Sequence, residues 1–351
     1  MRNATKQAPA LKPRSSVAER ITDTLVHIPM HGGGSAAIAV QGVTRGNTTT
    51  IKLASAYTGI VGQTIKLESL GTITALNGYA KVIDLAPSDS VVIDVDSSTF
   101  PAWTAGGSML FNVISDRMGN LAPQNILGTV TGIWDNKENG LTTHSAGTNT
   151  GLITTGLDAF NLAGFAGHLV LAFEIYMVAI PSDREQLFSL GVQTGAGTNT
   201  AAGTIGVAIE TSGVVQTTFR PAAVSDGGAS NTYFNTGGIG TATKKRIAFV
   251  FDLASSPTSA MVHTFIDGVL RSSTTLTMTG AIGSPANTVG LAIGAEISPS
   301  LSLTNKLGSS TTSSQARIAN LLWWKSSKGF ADTVEAVRRF GVDGELNELM
   351  V

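Results

Sequence analysis

Cysteine is absent from the 351 residues, so neither a disulfide nor a thiolate metal site can hold this fold, and the chain is indifferent to redox compartment. Charge is scarce as well. Asp, Glu, Lys and Arg make up 13% of the chain, and the formal net charge of -1 gives no global field to draw nucleic acid or an anionic membrane. There is no apolar run of about 18 residues, and no apolar signal core follows Arg2 and Lys6. The expectation is a chain made in a cytoplasm, not secreted by the usual route and not inserted in a membrane. The five histidines stand at 27, 31, 144, 168 and 263, too scattered in sequence to argue a triad or a metal cluster. Gly237 to Gly240 (GGIG), ahead of Lys244 and Lys245, lacks the Lys-Ser/Thr end of a phosphate loop, and a strand follows where a helix is needed.

What the chain has in abundance is glycine, 40 residues of it, set among Thr and Ser. Exposed surface must then be covered by hydroxyls and backbone, which favours short strands and turns over helices. The stretch Lys245 to Met278 organises the rest. Ile247, Phe249, Phe251 and Leu253 alternate with Ala248, Val250 and Asp252, the pattern of a strand within a two-sheet core. Met261 to Ile266 reads as a second strand that ends on Asp267-Gly268, a dipeptide suited to a tight hairpin, and Val269 to Leu276 leads back. Near the end, Phe330, Val334, Val337 and Phe340 share a helical stripe, Asp332 and Glu335 are spaced as a capping box, and Gly341 reads as a stop, so one helix of about ten residues is expected.

Flanking runs extend the pattern: His168 to Val178 (HLVLAFEIYMV), Gln186 to Leu190, Gly290 to Gly294 (GLAIG) and Ala316 to Trp324 (ARIANLLWW). With the central hairpin, this order of strands and turns resembles the laminin G-like and concanavalin A-like jelly rolls over roughly the last two hundred residues. The resemblance implies a two-sheet jelly-roll sandwich at 157–351, preceded at 112–156 by a linker that becomes its first edge strands. Glycine-rich, amide-rich segments at Gly195 to Ala202 and Ser225 to Gly240 read as long loops at its ends. Enzymatic members of this fold hydrolyse β-glucans with carboxylates spaced Glu-x-Asp-x-(x)-Glu, which is missing here: Glu174 stands alone, and Asp183 and Glu185 follow Pro181 in a loop. No enzymatic activity is expected.

The N-terminal part divides differently. Residues 1–33 form a basic arm, with Arg2, Lys6, Lys12, Arg14 and Arg20 against Glu19 and Asp23, and a short helix is expected over Ser16 to Leu25. This arm is read as a docking segment that orders on a neighbouring chain, with folding back on its own domain as the alternative. Its removal, Met1 to Pro29, is expected to leave a folded protein. After the hinge His31 to Gly34, short alternating runs follow at Thr49 to Leu53, Thr64 to Leu67, Ala80 to Leu85 and Val91 to Val95. The succession Ile73 to Tyr79 (ITALNGY), Lys81 to Asp84, Val91 to Ser97 (VVIDVDS) and Phe100 to Gly107 (FPAWTAGG) resembles a small β-barrel of phage virion proteins, related to a half-domain of ubiquitin-activating enzymes. That resemblance covers 34–111 and implies a spacer or docking module without catalytic residues.

Together these readings give an all-β chain: a small N-terminal β-barrel plus a C-terminal two-sheet jelly-roll sandwich with one short C-terminal helix. The resemblances imply a structural virion protein of a tailed bacteriophage, seated at the tail tip, baseplate or fibre, or alternatively on the capsid as a head-decoration or head-fibre protein. A carbohydrate-binding module and a glycan hydrolase are the remaining readings. Expected partners are other virion proteins, further copies of itself in a trimer, and a host-surface glycan. Candidate contact residues are Tyr233 and Phe234 in the second long loop and Trp323 and Trp324, adjacent on a strand so that one faces the core and the other faces solvent or packs under the helix. No cofactor is expected. Ca²⁺ is conceivable at Asp94 and Asp96 near Asp84 and Asp89, but a solvated strand face accounts for them, and Lys137 spoils the calcium-loop look of Asp135 to Gly140.

Overall fold

The computed structural model describes residues 24–28, 37–110 apart from 58, 60 and 88, 113–114, 124–125, 134–136, 140–141, 152–155, 165–190 apart from 183, 204–220, 232–253, 259–277, 290–293, 296–297, 303–304, 316–326 and 329–343. Side chains are described for most of these. The chain is all-β, with a closed N-terminal barrel, C-terminal antiparallel sheets and one C-terminal helix.

The first strand, β1 (Thr24–Ile28), lies in the segment read as an arm, and it belongs to the sandwich described below. The barrel is built from β2 (Ile38–Thr44), β3 (Thr49–Leu53), β4 (Thr64–Glu68), β5 (Gly78–Leu85), β6 (Ser90–Ile93) and β7 (Ser108–Leu110), closed in the order β2-β3-β6-β5-β4-β7. Each strand is too short to bury much alone. Alternate residues nevertheless point inward all the way round, so Ile51, Leu53, Ile65, Leu67, Val82, Val91, Ile93 and Met109 form one buried core. Strand β2 was not anticipated, although its alternation (IAVQGVT) is plain once read.

Two short pairs and an edge strand follow: β8 (Val113–Ile114) with β9 (Gln124–Asn125), β10 (Trp134–Asn136) with β11 (Gly140–Leu141), and β12 (Leu152–Thr155). The sandwich proper runs through β13 (His168–Met177), β14 (Glu185–Leu190), β15 (Thr204–Ile209), β16 (Val214–Arg220), β17 (Thr232–Gly238), β18 (Lys244–Asp252), β19 (Ser259–Ile266), β20 (Val269–Thr277), β21 (Gly290–Ile293), the small pair β22 (Glu296–Ile297) and β23 (Leu303–Thr304), and β24 (Ala316–Ser326). One sheet has eight strands in the order β10-β11-β24-β13-β18-β19-β20, with β1 also on β24. The other has six, in the order β12-β21-β14-β15-β16-β17. Their inner faces meet in a continuous core where Phe173 abuts Phe188 edge-on at 4.9 Å and Phe219 tilts against Phe251 at 5.1 Å. Each such ring removed from water stabilises the fold by about 1.5–3 kcal/mol. Residues 134–136 and 140–141 extend the eight-stranded sheet beyond β24, and 152–155 end the six-stranded sheet.

Several expectations are corrected. Thr24 and Leu25 were read as the end of a helix. They are strand, because β1 pairs antiparallel with Leu321 to Trp324, with an irregularity between Thr24 and Val26, and places Ile28 in the sandwich core, gaining hydrogen bonds and burial that an isolated helical turn lacks. Of the loop read over Ser225 to Gly240, Thr232–Gly238 is strand β17, paired with β16. The other loop, Gly195 to Ala202, lies outside the described residues. Asp94 and Asp96 lie beyond the end of β6 and are not two residues of one strand face.

The helix, α1 (Phe330–Asp343), has 14 residues where about ten were expected. It begins before Asp332, so the capping box does not form: Gly329 supplies the carbonyl that accepts from the Thr333 N–H, and Glu335 pairs with Arg339 one turn on. Gly341 does not stop it. A Cβ there would lie 1.8 Å from the Gly268 nitrogen, so glycine lets the last turn touch the β19–β20 hairpin tip, where Asp267 and Gly268 take the positive φ values the Asp-Gly dipeptide predicts.

Candidate functional site

The arm residues Arg2, Lys6, Lys12, Arg14 and Arg20 lie outside the described residues. Tyr233 and Phe234 sit in β17, in register with Thr218 and Thr217, and their side chains also lie outside what is described. Trp323 and Trp324 are placed clearly, at 2% and 3% exposure. Trp323 enters the core between the sheets. Trp324 points to the opposite face, where α1 covers it together with Val170, Val250, Phe265 and Leu322 beneath Val337 and Phe340. Neither is available to a glycan or a partner: of the two expectations for the outward tryptophan, packing under the helix is the one observed, because both faces of the sheet are covered.

The outer face of the eight-stranded sheet holds two polar groupings, one at each end of α1. At the helix C-terminus, Glu174 is 3% exposed on β13 and accepts from Arg246 Nε at 2.9 Å, with Lys244 Nζ at 3.6 Å. Arg246 Nη1 reaches the carbonyls of Gly341 and Val342, both at 3.3 Å. One guanidinium therefore neutralises a buried carboxylate and satisfies the open carbonyls that end α1. Beside it, the Asp267 carboxylate accepts from Lys245 Nζ at 2.8 Å and from the Arg246 backbone N–H at 3.0 Å, which fixes the hairpin tip. Glu174 is thus part of the helix anchorage, and Glu185, expected in a loop, is instead the buried first residue of β14, where it pairs across to Ile209.

At the helix N-terminus the structure joins what the sequence scatters. His168 and Asp252 face each other across β13 and β18, Nε2 to Oδ1 at 3.5 Å. His263 on β19 lies 2.8 Å, through Nδ1, from the Ser273 hydroxyl on β20. Phe330 stacks over both rings, at 5.6 Å from His168 and 4.6 Å from His263. Burial holds the His263 imidazole below its ordinary range, the Asp252 charge opposes that, and His168 adds to it. His263 accordingly takes up a proton less readily than a free imidazole, beneath the Phe330 ring. Only tertiary structure could have revealed this meeting: β18 sets Asp252 beside His168, and Phe330 at the start of α1 spans both histidine rings.

In the barrel, the residues that carried the resemblance pack its core and bond its turns. Leu76 is buried, and Asn77 Oδ1 accepts the Leu70 N–H at 2.9 Å just before β5. Asp96 Oδ1 takes the N–H and hydroxyl of Ser98, which hold it below the usual carboxylate range, and buried Ser97 bonds Thr49 at 2.7 Å. Trp103 Nε1 donates to the Gly106 carbonyl at 3.0 Å, and Gly107, at φ +100°, passes where a Cβ would strike Leu70. Asp94 Oδ1 accepts the Lys81 N–H at 2.9 Å and Asp84 Oδ1 the Leu85 N–H at 2.8 Å, so these carboxylates cap backbone, and among the described residues no group of three potential ligands gathers.

No protein-family model matches the chain, and no curated protein matches its sequence. Solved structures are similar to parts of it. The CBM40 of the Ruminococcus gnavus IT-sialidase, bound to alpha2,3 sialyllactose, is 10% identical over 49% of this chain and 83% of that one, with a TM-score of 0.33. The Trypanosoma rangeli sialidase in complex with sialic acid is 11% identical over 77% of this chain and 43% of that one, with a TM-score of 0.43. The heptameric SAP-like pentraxin from Limulus polyphemus is 14% identical over 50% of this chain and 70% of that one, with a TM-score of 0.30. These similarities assign no residue a role.

Proposed function

We propose that this chain is a structural, non-enzymatic component of a tailed-bacteriophage particle, seated at the tail tip, baseplate or fibre, that displays its sandwich outward. The observation that supports this most is that the residues carrying the barrel resemblance serve the barrel itself: Leu76 lies in its core with Trp103 packed against it, Asn77 takes the Leu70 N–H and Ser97 bonds Thr49. The conspicuous polar groups of the sandwich anchor its helix, which suits a rigid display unit. Contact with a host-surface glycan, within this role, is placed at Tyr233 and Phe234.

Purified particles of the virus that encodes the chain should contain it, and antibody labelling in electron micrographs should mark the tail. Labelling of the head would shift the seat to the capsid surface, and absence from the particle would reject the reading. Incubation with host polysaccharide should release no new reducing ends; release abolished by Glu174→Gln would establish an enzyme instead. Glycan binding lost on Tyr233→Ala would support the contact.

A further inference from the structure

β20 ends the eight-stranded sheet. β19 pairs with it on one side, and among the described residues no strand pairs with it on the other. Val269, Leu270, Arg271, Ser273, Thr274 and Thr275 are all exposed. A free edge is a row of open N–H and C=O groups, which proteins commonly guard with lysine, proline, inward charge or a bulge. Here, the strand VLRSSTTLT has neither lysine nor proline, and its bulge, at Arg271 next to the hairpin turn, leaves Ser272 to Thr277 regular and without a charged residue.

We propose that β20 pairs edge to edge with β20 of a second copy, antiparallel about a two-fold axis, joining two eight-stranded sheets into one. The edge is self-complementary in this arrangement. With the axis at Thr274, in the middle of the regular stretch, Ser272 faces Leu276 of the second copy, Ser273 faces Thr275, and Thr274 faces itself. Directly opposed residues must have the same hydrogen-bonding parity, which this register satisfies. It also places the two Arg271 side chains at opposite ends of the ladder, each across from Thr277, so no like charges meet. Such an interface is isologous and closes at two copies. It does not depend on a virion role.

Sedimentation of the purified full chain over a range of concentrations tests the proposal. The wild-type protein should show a reversible monomer–dimer equilibrium. Thr274→Lys sets two ammonium groups against each other at the axis and should raise the dissociation constant roughly tenfold. Thr274→Val keeps a β-branched pair there and should leave dimers in place. Because Thr274 is exposed, the lysine variant should retain the wild-type circular dichroism spectrum and melting profile when dilute. A monomer at every concentration, or a dimer or trimer indifferent to Thr274→Lys, would overturn the proposal.

Discussion

Arg246 is the residue on which the attachment of α1 turns. Replacing it with alanine takes the 2.9 Å partner from buried Glu174 and strips the contacts from the Gly341 and Val342 carbonyls. Removing one partner of a buried ion pair leaves the other charge less well compensated, and a loss of about 3 kcal/mol is expected in urea unfolding. Glu174→Gln in the Arg246→Ala background should recover part of that loss, since the stranded charge is then gone. Gly341→Ala is the steric counterpart. Its methyl group would overlap the hairpin tip at Gly268, and overpacking of this kind costs about 1–3 kcal/mol, so the variant should melt lower even though alanine is the better helix former.

At the scale of elements, β1 changes the meaning of the N-terminal arm. Removing residues 1–23 should leave the melting temperature unchanged, because β1 remains. Removing residues 1–29 should lower it clearly, because Leu321 to Trp324 lose their edge partner and the core loses Ile28. This corrects the expectation that the longer deletion is harmless; only the shorter one tests attachment without disturbing the fold. The docking of α1 also carries a pH dependence. His263 titrates in the folded protein below its ordinary 6.5, so the unfolded chain takes up its proton first as pH falls. Stability is therefore full above about 6.5 and declines from there toward the depressed value, and His263→Gln should flatten that slope in unfolding measured across pH 5 to 7. The Asp252 charge opposes the lowering of the His263 value and His168 adds to it, and the net direction is downward.

For the molecule as a whole, the barrel and the sandwich have separate hydrophobic cores. Residues 35–111, produced alone, should fold and melt cooperatively, since the barrel leaves no sheet edge open and its polar motif closes on itself. An unfolded fragment would show that the barrel depends on the rest of the chain.

The sequence by itself determined the class of structure and the long strands around the central hairpin, though not β15, β16 or β17 of the facing sheet. Ile247, Phe249 and Phe251 alternate strictly, and Asp267-Gly268 takes the positive φ angles at both residues that two-residue hairpins favour, so β18, β19 and β20 were legible without any distant contact. The helical stripe from Phe330 to Phe340 was legible for the same local reason. Tertiary structure alone decided which faces are covered and which distant residues meet. A period of two says that Trp323 and Trp324 point to opposite sides of a sheet, and nothing in it says that a helix will lie over the second side. Likewise His168, Asp252 and His263 become neighbours only through the register of three strands, and β1 finds its edge on a strand from the other end of the chain. Local geometry is set by neighbours in sequence, whereas burial is set by whatever the rest of the chain places on top.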